Sequence, residues 1–339
     1  MNQFRHIVLL ILCSFFLLPA QAKKTKPEEP IVTKDSLSIE RLQQFTYYWY
    51  AAKQVIEQQE YVNALVYLEV CNVLNPDDGE TLRCLGILYD GVHKPERAFE
   101  CFKRAYEVAP RDQWHKYSMA LLELGKDYVP EAIAVLEHSY EIQRQVKDVD
   151  EELLDQLRRL YIHSEKWSQA LAIQDSIDNL KGYDAYSALY RYRIYLFSKK
   201  PKKALAELDK YLKLEPQDLQ FLLMRMELLE HLNAKKSDLY AMYERILALQ
   251  PNHLMVLNNY AYHLATNKGD LKKAERMSAI TIREEPDNAV YLDTYGWIMY
   301  KQGQKDLAIF YLTRAKNNAK DEATKTEVEQ HLKKAEGKK

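Results

Sequence analysis

Glycine and proline are scarce in this chain. Nine Gly and eleven Pro in 339 residues are too few for a turn-rich β protein or a low-complexity disordered chain. An excess of one charge is also missing. There are 48 basic and 49 acidic residues, a net charge of −1, so no global field draws the chain to nucleic acid or to an anionic membrane. Catalytic signatures are absent too. The sequence has no H-E-x-x-H, C-x-x-C or G-x-S-x-G and no phosphate-cradling glycine loop, patterns that mark metal, redox, acyl-transfer and nucleotide chemistry. Nine histidines are scattered, with no pair at i, i+4, and no two carboxylates stand out as an acid–base pair. These absences lead us to expect no enzyme, no cofactor and no metal site.

What the chain does have is 47% hydrophobic and 29% charged residues, a balance suited to amphipathic helices. Its start is different. Arg5 and His6 precede an apolar run from Ile7 to Leu18, then Pro19-Ala20-Gln21-Ala22 and the charged Lys23. A basic start, a short apolar run and an A-x-A boundary read as a secretory signal peptide over 1–22. The run is too short to span a bilayer, which needs about 20 residues. Residues 23–35 are polar and contain proline, and form an expected flexible lead. Loss of the signal would remove Cys13 and leave Cys71, Cys84 and Cys101. All three fall on expected helices where small apolar groups are wanted. They read as buried small hydrophobes, with a Cys71–Cys84 bridge as the alternative.

A fixed period dominates the rest. Pro76 and Pro110 are 34 residues apart, and Pro216, Pro251 and Pro286 are spaced by 35. An apolar pattern recurs with them, which indicates one small unit copied along the chain. The clearest copy runs from Gly79 to Pro110. Leu82, Leu85, Gly86 and Tyr89 share one helical face. Asp77 and Glu80 suit a capping box. After a turn near His93-Lys94-Pro95, a second helix carries Ala98, Phe102 and Ala105, and Pro110 stops it. Gly86 and Ala98 remove bulk where the two helices cross, while Tyr89 and Phe102 fill the flanks.

This unit resembles the tetratricopeptide repeat, in which a large residue, Leu, Gly/Ala and Tyr mark the first helix, Ala, Phe/Leu and Ala the second, and Pro the end. The last copy keeps Leu292, Tyr295, Gly296, Met299, Ala308, Leu312 and Ala315. About eight copies fit. The fourth has Arg158 and the fifth Tyr192 where a small residue belongs, and in the sixth Leu239 replaces Ala. The resemblance implies an all-α solenoid, a right-handed superhelix of antiparallel helix pairs over 36–322. A joint or change of curvature is expected near 145–185. Residues 323–339 read as a polar capping helix with a frayed tail, since a stack must shield its last apolar face.

The resemblance also implies a concave groove lined by first helices. The expected lining residues are Trp49, Lys53, Arg83, Trp114, Tyr117, Arg159, Tyr186, Arg193, Asn258, Tyr262, Asp293, Trp297 and Tyr300. Aromatics and Arg dominate many interfaces, although several of these rings equally suit the core. Some family members grip a C-terminal carboxylate with Lys, Asn and Arg. Lys53 is in place here, but Cys84 and Ser118 replace the other two, so no such clamp is expected. The reading that results is a non-catalytic scaffold of the periplasm or cell envelope. It would hold a peptide or helical segment of a protein partner, with no nucleic acid and no transmembrane segment after signal cleavage. Carbohydrate handling, with rings stacked on sugars, is the alternative.

Overall fold

The computed structural model describes residues 37–337. The expected signal peptide and the whole of the lead lie outside these residues, as do the last two of the tail. Among the described residues there are seventeen α-helices and no strand. The chain divides into two compact units after Gly182.

The first unit holds four hairpins: α1 (Ile39–Glu57) with α2 (Tyr61–Leu74), α3 (Gly79–Gly91) with α4 (Pro95–Val108), α5 (Trp114–Leu124) with α6 (Val129–Gln145), and α7 (Glu151–His163) with α8 (Trp167–Lys181). The second holds α9 (Ala185–Phe197) with α10 (Pro201–Leu214), α11 (Leu219–His231) with α12 (Lys236–Leu249), α13 (Leu254–Thr266) with α14 (Leu271–Glu284), and α15 (Ala289–Lys301) with α16 (Lys305–Asn318). A last helix, α17 (Glu322–Glu336), packs on α16 and α15. Within each unit, every second helix touches the first helix of the next hairpin. Each unit is thus a stretch of all-α solenoid.

Local chemistry sets the helix starts. Asp78, Asp150, Asp184, Asp218, Asp270, Asn288 and Asp321 each accept a backbone N–H from the first turn of the helix they precede, which satisfies otherwise orphaned donors. The expected cap Asp77 is one residue off. Asp78 accepts from Thr81 at 2.7 Å, while Asp77 pairs with Arg104 and Glu80 with Arg83. The turn inside most hairpins has a left-handed residue, at Gln59, His93, Glu165, Lys199, Asn233, Lys268 and Gly303. These recur at nearly the repeat period, and the conformation lets the second helix fold straight back.

The cores form where hairpin helices cross. A Cβ added to Gly86 would collide with the Phe102 ring, and one on Gly296 would stand 2.8 Å from Leu312 Cγ. Ala98 and Ala308 are buried beside them. Arg158, at the Gly86 place in α7, is nevertheless buried. Its guanidinium donates to Gln174 Oε1 at 2.5 Å and pairs with Asp155, while Gln174 donates to Asp178 at 2.6 Å. A polar network here replaces the small-residue crossing. The three cysteines are free thiols. Burial pushes Cys71 and Cys84 up to about 12 and Cys101 up to about 11, so they pack as small hydrophobes. No helix among the described residues is long and apolar enough to cross a membrane.

Candidate functional site

The thirteen expected lining residues fall into three groups. Trp114, Tyr117 and Trp297 are inside the protein, not on an open face. Tyr117 stacks on Tyr106 at 5.4 Å and donates to Glu131 at 3.0 Å. Trp114 lies edge-on to His115. Trp297 stacks on His331 at 4.1 Å and donates its indole N–H to Thr266 Oγ1 at 3.3 Å. The expectation failed for a physical reason: Tyr117 and Trp297 are covered by Tyr106 and His331, rings of other helices that helical position alone does not report.

A second group remains accessible but dispersed. Trp49 and Lys53 are half-buried on α1, with the ammonium 5.6 Å from the indole centroid. Arg83 is bound to Glu80. Arg159 is exposed and pairs with Asp155. Tyr186 is 73% exposed, Arg193 is exposed, and Tyr300 is half-buried against Trp297 at 5.2 Å.

The third group converges. In the second unit, Asn258 and Tyr262 of α13 and Asp293 of α15 line one cavity of about 250 Å³. Its walls also include Glu230 of α11, Asn259, His263 and Thr294, with Thr324 and Glu327 of α17. All of these stand on first helices or on α17. The polar groups are linked around the rim. Asn259 donates to Glu230 at 3.3 Å, and the Tyr243 hydroxyl also donates to that carboxylate. Tyr262 donates to Glu327 at 3.2 Å. Burial, reinforced by the Glu327 charge, pushes the Tyr262 phenol up to about 12. Burial holds the His263 imidazole below its ordinary value, against the pull of Glu230.

One of the lining residues, Asp293, belongs to a buried pair. His331 Nδ1 lies 3.0 and 2.9 Å from the two carboxylate oxygens of Asp293, and both residues are about 95% buried (5% and 6% exposed). The Asn258 side-chain carbonyl oxygen is fully buried without a hydrogen-bond partner. An unpaired buried acceptor costs about 1–3 kcal/mol unless something else meets it.

No protein-family profile matches the chain. A stretch of 117 residues, 34% of the chain, is 32% identical to a TPR repeat-containing protein of Pseudomonas aeruginosa; the match spans only 19% of that relative. In fold, the C-terminal part of a TPR repeat-containing protein from Cytophaga hutchinsonii matches 74% of this chain and 98% of its own length, at a TM-score of 0.50 and 16% identity. A tetratricopeptide repeat protein from Parabacteroides merdae covers 87% of this chain and 99% of its own, at a TM-score of 0.42 and 14% identity. The fold is that of tetratricopeptide-repeat proteins.

Tetratricopeptide numbering explains the cavity. Asn258, Asp293 and Glu327 are separated by 35 and 34 residues, and so are Tyr262, Trp297 and His331. Two repeat positions, one helical turn apart, therefore supply both the polar row and the ring row. Glu327 and His331 were missed because α17 reads as a polar cap. Its buried Val328 does close the last apolar cluster with Leu292 and Ala315, but α17 also extends the repeat register by one more first helix. The period itself was the signal that could have found them.

Proposed function

We propose that this tetratricopeptide-repeat protein is a non-catalytic interaction scaffold of the bacterial periplasm or cell envelope, holding a peptide or helical segment of a protein partner against its first helices. The observation that carries this reading is the cavity of the second unit, where successive first helices and α17 set amide, phenol and carboxylate groups around an opening of peptide side-chain size. Asn259, Tyr262 and Glu230 offer both donors and acceptors there, as an interface centre requires for specificity. The leader-like start over 1–22 supports export. The carbohydrate alternative loses its main support, because Trp114 and Trp297 present no open ring face.

A photo-crosslinking residue at Asn259, in cells, tests the proposal. It should trap a discrete envelope protein, and Tyr262→Ala should diminish the product. A crosslinker at exposed Phe310, on a second helix, should not trap the same protein. Equal trapping at both positions, or a product found only in the cytoplasmic fraction, would refute it.

A further inference from the structure

We propose that Asp293, Glu327 and His331 form a binding site for a divalent first-row transition cation of the Zn²⁺ class, beside the cavity in the second unit. Their ligand atoms, one imidazole nitrogen and two carboxylate oxygens, all lie within 4.8 Å of one another. Zinc holds such donors at about 2.0–2.2 Å, so two on one ion stand at most about 4.4 Å apart. Asp293 and His331 are already in mutual contact. Glu327 is exposed, and a small rotation of its carboxylate closes the set.

The surroundings favour a cation. The cavity walls carry the carboxylates of Glu230, Asp293 and Glu327 and no Lys or Arg. Asn258, 4% exposed, points a buried carbonyl oxygen that lacks any hydrogen-bond donor, and it lines the same cavity as Asp293 and Glu327. A positive ion is the partner that an amide oxygen and two carboxylates share. The imidazole biases the set toward zinc and away from Mg²⁺ or Ca²⁺, which prefer oxygen alone. His331 is held by stacking on Trp297, so its ring is oriented before any ion arrives. Two ligands come from α17 and one from α15, so the ion would fasten the last helix to the hairpin beneath it. The site belongs to the protein without its partner and does not depend on the scaffold reading.

The test titrates Zn²⁺ into the purified metal-free protein by calorimetry, with no partner present, and follows hydrogen exchange in α17. Saturable binding of one ion should slow exchange over Glu322–Glu336 while leaving α10 unchanged. Glu327→Gln, an exposed change that leaves the fold intact, should weaken binding at least tenfold without moving the metal-free melting temperature. Glu322→Gln, on the same helix but outside the cluster, should bind like the parent. Tenfold excess Mg²⁺ should not displace Zn²⁺. Absence of saturable binding, equal affinity in Glu327→Gln, or equal loss in Glu322→Gln would overturn the assignment.

Discussion

In the second hairpin, Gly86 of α3 faces Phe102 of α4. In the fourth, the same two helix positions hold Arg158 of α7 and Gln174 of α8. Both pairs are 16 residues apart. The first closes by shape, because an absent side chain admits a ring and brings the helices together. The second closes by charge, through Asp155, Gln174 and Asp178 around one buried guanidinium. The two positions are therefore matched to each other: the long cation meets an acceptor where the ring would stand. The difference shows that the repeat pattern constrains complementarity at the crossing and not smallness as such.

The largest effect should come from breaking the polar crossing on one side. Asp155→Ala removes a carboxylate from a guanidinium that is only 4% exposed. The loss should be about 3 kcal/mol in urea unfolding, near the lower end for a broken buried pair because Gln174 still accepts from Arg158. A cost under about 1 kcal/mol would mean that solvent reaches the guanidinium. Replacing both partners is the sharper experiment. Arg158→Ala with Gln174→Leu copies the Ala52 and Leu68 pair of the first hairpin, both buried. Stability should stay level or rise by about 1–4 kcal/mol, since a packed apolar pair often outperforms a buried ionic one. In the shape-based hairpin, Gly86→Ala should cost about 1–3 kcal/mol by overpacking against Phe102, despite the better helix propensity of Ala. A melting temperature equal to the parent's would show that Phe102 moves aside freely.

The smallest expected effect is on pH dependence in the second unit, where His263 borders a polar cavity without an acid bound to its ring. Burial depresses its folded-state pKa, so the unfolded chain takes up the proton more readily. The stability involved is fully present above the unfolded value of about 6.5. It is lost as pH falls from there through the depressed folded value. Denaturant midpoints at pH 7.5 and 5 should therefore converge in His263→Gln relative to the parent. An unchanged gap would mean that this imidazole titrates alike in both states.

Much of the architecture was legible in the chain. The period of 34–35 residues, the small residues at 86, 98, 296 and 308, and the prolines closing the units placed the hairpins before any coordinates. The helix starts were close, and Asp78 took the role expected of Asp77 because one residue of phase decides which carboxylate reaches Thr81. The site was less legible. Asn258, Tyr262 and Asp293 were named from repeat position and do meet around one cavity. Trp114, Tyr117 and Trp297 were named on the same grounds and are buried.

Sequence by itself determined that this protein is a row of helical hairpins, because apolar spacing, turn chemistry and capping are local and repeat with the chain. Tertiary structure decided which aromatic rings are inside and which polar groups are neighbours. A ring's exposure depends on the bulk of the helix packed beside it. The approach of Glu327 and His331 to Asp293 depends on α17 folding back in register, a contact that no local pattern records.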